Sequence, residues 1–255
     1  MANLAFEASG LSISFGGLKA VSGFNLKIPK EGLCGLIGPN GAGKTTVFNL
    51  MTGVYKPDSG EMNLGGKSLI GFAPHEIAKA GIARTFQNIR LFGDLSVLEN
   101  VLLSYHIQKP YGYWDSILRT KRFDSKESEL REKALSLLEL MGLANRKEDR
   151  AKNLSYGNQR RLEIARALAL EPQLLLLDEP AAGLNSKEKV DLMHTVSEIR
   201  NRFKVAVLLI EHDMKLVMGI CERITVLDHG EIIAEGTPKE IQENPKVIEA
   251  YLGVA

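Results

Sequence analysis

An α/β fold with a parallel core sheet, an antiparallel β subdomain and an inserted α-helical subdomain is the class that this sequence of 255 residues predicts. Three observations predict it. The runs 33–37, 174–177 and 205–210 are apolar throughout and short, as parallel strands buried on both faces must be. Residues 4–28 alternate apolar and polar side chains in short bursts, the pattern of a half-exposed antiparallel sheet. Between 96 and 168 the period becomes helical, and a chain of this length accommodates that stretch as an insert in one domain.

Taken in order, the first sheet turns at Phe15-Gly16-Gly17 and ends in a strand over 24–28 before Pro29. Phe15 lies just upstream of the next motif, where its ring could stack on a base or simply pack in the core. The strand 33–37 then runs into Gly38-Pro39-Asn40-Gly41-Ala42-Gly43-Lys44-Thr45-Thr46, which fits G-x-x-x-x-G-K-[ST] at every fixed position and is followed by a helix over 47–51. Glycines 38, 41 and 43 let the backbone curl with its N–H groups inward, and the helix start adds its positive end, so a phosphate is held with little side-chain help. Lys44 supplies a point charge for outer phosphates, Thr45 a hydroxyl for Mg2+, and Thr46 reaches an inner phosphate.

Residues 55–60 are turn chemistry, 61–67 read as strand and hairpin, and Pro74 opens a short helix to Ala80. Residues 81–86 read as a central strand ending in Gln87, either a surface glutamine or a polar group facing a ligand. Helices follow over 96–103 and 125–141, the second with Leu130, Ala134, Leu137, Leu138 and Met141 on one face. Between them Tyr111-Gly112-Tyr113-Trp114 and Arg119-Thr120-Lys121-Arg122 form an aromatic then basic stretch, open between local packing and a membrane-surface or partner contact. Ser155, Gly157 and Asn158 stand at the start of an amphipathic helix through Leu168, where Ser155 is an N-cap or part of a second anion site.

The buried strand 174–177 delivers Asp178 and Glu179 to its carboxyl end, where carboxylates are ligands or catalysts. Beside a phosphate loop the first is placed to bind Mg2+ and the second to take a proton from an attacking water. Asn185 and Glu188 form a capping box for a helix through Ile199. The strand 205–210 releases His212 at the same sheet edge, as a structural histidine or a site residue. A hairpin over 224–234 and a short helix at 237–240 close the chain.

Composition excludes other classes. Thirty-two basic and thirty-one acidic residues leave a net charge of +1, against a dedicated nucleic-acid surface. Cys34 and Cys221 sit in apolar surroundings, as expected of buried free thiols in a cytosolic protein. No apolar run approaches the roughly 18 residues of a membrane span and the first ten residues carry no signal pattern, so membrane association is expected only through a partner.

With loop, glutamine, helix start, acidic strand and histidine in this order, the chain resembles an ABC transporter nucleotide-binding subunit along essentially its whole length. Within that family Phe15-Gly16-Gly17-Leu18, Arg84-Thr85-Phe86-Gln87, Leu154-Ser155-Tyr156-Gly157, Ala181-Ala182-Gly183-Leu184-Asn185, Ile210-Glu211-His212-Asp213-Met214 and Tyr251-Leu252-Gly253 resemble the first of the two ATP-binding subunits of bacterial high-affinity branched-chain amino-acid transporters. The resemblance implies a P-loop NTPase with a RecA-like core and β subdomain at 1–95 and 172–255 and a helical signature subdomain at 96–171. It implies that Phe15 stacks on adenine, residues 38–46 hold the phosphates of ATP, Thr45, Gln87 and Asp178 serve Mg2+, Glu179 is the base and His212 senses the γ-phosphate. Ser155, Gly157 and Asn158 are then expected to act on ATP bound to an opposite protomer, in a homodimer or a heterodimer with a paralogous ATPase subunit. Residues 87–98 would contact integral-membrane permease subunits at the cytoplasmic face of the inner membrane, an extracytoplasmic solute-binding protein would take part indirectly, and no nucleic acid is expected.

The match departs from the wider family at Tyr156 and Asn158, where LSGGQ is usual, and at Asn185, where aspartate is common. Asn158 bears on the contact across the dimer and Asn185 on communication between its sites. Related cassettes serve urea uptake or lipopolysaccharide export, and soluble ABC ATPases of DNA repair or translation form a rival class. The latter usually carry tandem cassettes or long coiled coils, which this chain lacks.

Overall fold

A computed structural model of the chain describes residues 3–107 and 121–252. The aromatic and basic residues from Tyr111 to Thr120, with the Arg122 side chain, lie outside what it describes. Strands β1 (Leu4–Phe15) and β2 (Leu18–Pro29) form a long hairpin closed by Gly16 and Gly17, both at positive φ (55° and 87°), the requirement of a two-residue turn with the twist of the strands it joins. With β4 (Ser59–Leu64) and β5 (Lys67–Ser68) they make an antiparallel sheet in the order β2-β1-β4-β5.

The second sheet runs β10-β9-β3-β8-β7-β6, from β3 (Leu33–Ile37), β6 (Ile82–Arg84), β7 (Leu174–Asp178), β8 (Ala206–Ile210), β9 (Arg223–Asp228) and β10 (Glu231–Gly236). All its pairings are parallel except that of β10 with β9. Its central strands are buried on both faces, and successive residues face opposite layers. Cys34, Leu36, Leu174, Leu176, Leu208 and Ile210 join Phe6, Phe24 and α1 (Lys44–Met51) in the core under the antiparallel sheet. Leu33, Ile37, Leu175, Leu177, Val207 and Leu209 face the helices α3 (Val97–His106), α4 (Lys121–Leu140), α5 (Tyr156–Leu168) and α6 (Ser186–Phe203), with α2 (Pro74–Ala80) lying before β6. Helices α7 (Met214–Ile220), α8 (Pro238–Gln242) and α9 (Pro245–Leu252) complete the order.

Two local expectations are corrected. The strand expected to be central at 81–86 is β6, three residues long and at the sheet edge. The ladder ends there because side chains of α5 take over the next peptides: the Phe86 N–H donates to Glu163 at 3.1 Å, and the Phe86 and Gln87 carbonyls accept from Arg160 at 2.6 and 2.8 Å. The amphipathic helix through Leu168, whose periodic run begins at Gln159 in the sequence, starts at Tyr156, because Ser155 serves as its N-cap and accepts from the Asn158 N–H at 3.5 Å. The capping box of Asn185 and Glu188 forms with both bonds at 3.0 Å. Both cysteines are free and buried. Among the described residues no helix is long and apolar enough to cross a membrane.

Candidate active site

Strand order brings the motifs together. β3, β8 and β7 are neighbours running the same way, so the segments following Ile37, Ile210 and Asp178 emerge side by side at one sheet edge. Residues 38–46 curl there into α1, and two close approaches require glycine. A β-carbon at Gly38 would lie 1.9 Å from the Leu227 carbonyl oxygen, and one at Gly43, where φ is 102°, would lie 2.7 Å from that of Ala20. The Lys44 ammonium donates to the carbonyls of Gly38 and Pro39 at 2.6 and 2.9 Å, which holds the loop around the space where an anion sits. Lys44 is buried, which pulls its pKa below the usual lysine range, while the carboxylates of Glu179 and Asp178 oppose that shift. Thr45 is exposed at the helix start, with Thr46 half-buried beside it.

Across the cleft three sequence-predicted groups meet. His212 Nε2 stands 2.5 Å from Glu179 Oε1, and the Gln87 amide donates to Glu179 Oε2 at 3.0 Å. Glu179 has a φ of 48°, in the left-handed region that a glutamate occupies at a cost of about 1–3 kcal/mol, so its surroundings must hold it there. Asp178 is buried, and Arg84 donates to its Oδ2 at 2.7 Å. The hydroxyl of Thr45, the amide oxygen of Gln87 and the second Asp178 oxygen are hard donors that suit Mg2+. Among the described residues no group of three or more His, Cys, Asp or Glu is placed to hold a metal.

Phe15 is 45% exposed at the hairpin tip, so core packing is not its role; its ring meets Tyr55 edge-on at 5.1 Å between centroids. Its exposed face is available to a planar base. Phe15→Ala is expected to weaken ATP binding roughly 2- to 12-fold, the worth of one aromatic stack, with hydrolysis at saturation little changed and Phe15→Tyr nearly silent. Nucleotide titration checks this, and unchanged binding with a lowered melting temperature would assign Phe15 to stability alone.

Ser155, Gly157 and Asn158 are not in the cluster around Glu179. What packs against the start of α5 is the segment after β7: a β-carbon at Gly157 would lie 3.2 Å from Glu188 and 3.4 Å from Leu184, and one at Gly183 3.0 Å from the Tyr156 ring.

Several residues at the site carry no motif of their own. Arg160, fully buried, grips the carbonyls of Phe86 and Gln87, Glu163 at 2.8 Å and the Tyr156 hydroxyl at 3.1 Å, so the helix start and Gln87 are tied through one guanidinium. Burial raises the Glu163 carboxyl, against the opposing pull of the Phe86 N–H and Arg160. Arg84 joins Asp178 to Asn49 of α1 at 2.7 Å. Partial burial of its ring pushes the Tyr251 hydroxyl up to about 12, with the Gly38 N–H pulling the other way. Charged residues on otherwise buried faces were the signal for the arginines and Glu163; Tyr251 had none beyond its place in the terminal motif.

A protein-family model described as "ABC transporter" matches residues 21–182, and one described as "Branched-chain amino acid ATP-binding cassette transporter" matches residues 231–255. The chain is 48% identical over 255 residues to the high-affinity branched-chain amino acid transport ATP-binding protein LivG of Escherichia coli strain K12, covering 100% of both. Among solved structures, an ATP-binding cassette of an ABC transporter in its ADP conformation matches with a TM-score of 0.85 at 32% identity, over 98% of this chain and 99% of that one. A dimeric cassette in a post-hydrolysis state, bound to ADP and phosphate, matches with a TM-score of 0.77 at 26% identity, over 91% of this chain and 98% of that one.

Proposed function

Because the chain belongs to the ATP-binding cassette transporter family and is one of its ATPases, we propose that it drives import of branched-chain amino acids across the inner membrane. The observation that carries the solute class is the match of residues 231–255 to the family model for such transporters, joined to a full-length likeness to proteins of that transport.

ATP lies with its phosphates in the loop 38–46, under Lys44, and its base against Phe15. Glu179 accepts a proton from water as the water oxygen attacks the γ-phosphorus, and the bond from that phosphorus to the β–γ bridging oxygen breaks to leave ADP and phosphate. His212 and Gln87, each within hydrogen-bond reach of one Glu179 oxygen, hold the carboxylate in place. Mg2+, held by Thr45, Gln87 and Asp178, supplies neutralising charge on the outer phosphates when bound.

Residues 96–171 act as the helical unit within a core of 1–95 and 172–255, and carry Ser155, Gly157 and Asn158 to ATP on a second chain. Membrane permeases dock on the 87–98 region at the cytoplasmic face. Support comes from a groove of about 390 Å³ lined by Phe86, Arg90, Phe92, Ile107 and Arg166, with Phe92 48% exposed. Arg90 lies over the Phe86 ring at 4.3 Å, so the groove joins directly to the peptides that Arg160 holds.

The test is uptake of labelled leucine, isoleucine or valine into vesicles bearing the complete transporter encoded beside this chain. ATP-dependent uptake that the chain restores and its Glu179→Gln variant does not is expected. Equal uptake with and without the chain, or uptake of only unrelated solutes, contradicts the proposal.

A further inference from the structure

The carboxylate of Glu211 takes no part in the chemistry above, yet it is 4% exposed between the two loops that carry the chemistry. Its Oε1 accepts from the Ala181 N–H at 2.7 Å and its Oε2 from the His212 N–H at 3.2 Å, with the Asp213 N–H adding a weaker pull on the same carboxylate. Ala181 stands two residues after Glu179, whose left-handed φ of 48° persists only if the turn around it is held from both sides. One hold is the Glu179 N–H to the Ile210 carbonyl at 2.9 Å, and the other is Glu211. The same turn continues to Gly183 and Leu184, which abut Tyr156 and Gly157 at the start of α5.

We propose that Glu211 is a positioning residue that fixes the turn carrying Glu179 and the loop carrying His212 in one mutual register. The proposal rests on the hydrolytic role given to Glu179. No other group spans the two loops through this many backbone N–H donors among the described residues. A neutral, short residue at 211 would leave the Ala181 and His212 N–H groups without their acceptor and release both loops. Glutamine is the informative replacement. Its oxygen keeps the Ala181 bond, while its amide group meets the His212 and Asp213 donors head-on.

The experiment measures steady-state ATP hydrolysis, nucleotide affinity and melting temperature on the full chain, for wild type, Glu211→Gln, Glu211→Ala, Glu179→Gln and Glu179→Gln/Glu211→Ala. Misplacement of a catalytic group by about 1 Å costs on the order of 100-fold, so Glu211→Ala is expected to lose about 10- to 100-fold in kcat, with Glu211→Gln between it and wild type. Nucleotide affinity is expected to change less than about 2-fold, because the loop 38–46 is untouched. The double variant is expected to hydrolyse no more slowly than Glu179→Gln, since Glu211 acts through Glu179. Wild-type kcat in Glu211→Gln, a parallel fall in affinity and kcat, or further loss in the double variant overturns the proposal. Absence of hydrolysis in the wild type, both alone and mixed with a second ATPase subunit, would instead overturn the function on which it rests.

Discussion

Glu179→Gln is expected to lower ATP hydrolysis by about 10²- to 10⁴-fold and to leave ATP bound. In the proposed mechanism the carboxylate is the proton acceptor, and glutamine keeps its shape without its basicity. In the structure Glu179 makes no contact that a phosphate group needs; its neighbours are the His212 ring at 2.5 Å and the Gln87 amide at 3.0 Å. The negative charge of Glu179 also acts on Lys44, so removing it leaves the phosphate loop at least as attractive to an anion. Titration with ATP should give near-wild-type affinity while turnover collapses.

Lys44→Ala is expected to fail at the opposite step. Its ammonium is the only side-chain cation on the loop 38–46 and is tied to the Gly38 and Pro39 carbonyls at 2.6 and 2.9 Å. A charge-assisted hydrogen bond to phosphate is worth about 1.5–3 kcal/mol, so its loss should weaken ATP binding about 10- to 150-fold, with hydrolysis lost for want of bound substrate. Loosening of the loop adds to this loss. The two variants therefore separate in one titration, and equal loss of ATP affinity in both would contradict the role given to Glu179.

The parts of the site that the sequence made legible are those written in local order. Gly38, Lys44 and Thr45 sit at fixed spacing between a strand and a helix, and Asp178, Glu179 and His212 each follow a run of apolar residues that can only be a buried strand. Neighbouring parallel strands then deliver them to one edge. The hidden parts depend on contacts between distant segments. β6 was expected at the centre and lies at the edge, and it is short because Arg160 and Glu163 draw Phe86 and Gln87 off the ladder from more than seventy positions away. Glu211 read as part of the motif Ile210–Met214, and nothing in its neighbours announced that its oxygens would close on Ala181. Exposure shows the Phe15 ring open to solvent at the hairpin tip, which its sequence context did not reveal.

Arg160 shows how such contacts carry function. It binds the Tyr156 hydroxyl at 3.1 Å and the Gln87 carbonyl at 2.8 Å, and through it the proposed mechanism passes a displacement at the start of α5 to the glutamine beside Glu179. In the proposed mechanism that displacement follows ATP bound on a second chain. The account thus stands on the two anion sites, residues 38–46 and the start of α5, being completed only between two chains.

Light scattering on the Glu179→Gln chain with and without ATP and Mg2+, alone and mixed with its paralogous subunit, tests this most directly. Two chains are expected to associate when ATP is added and to stay together because hydrolysis no longer separates them. The mixed pair is expected to hold more tightly than the self-pair if the chain works as one of two unlike subunits. A single chain under every condition, together with full ATPase activity of the wild type, would contradict the shared site.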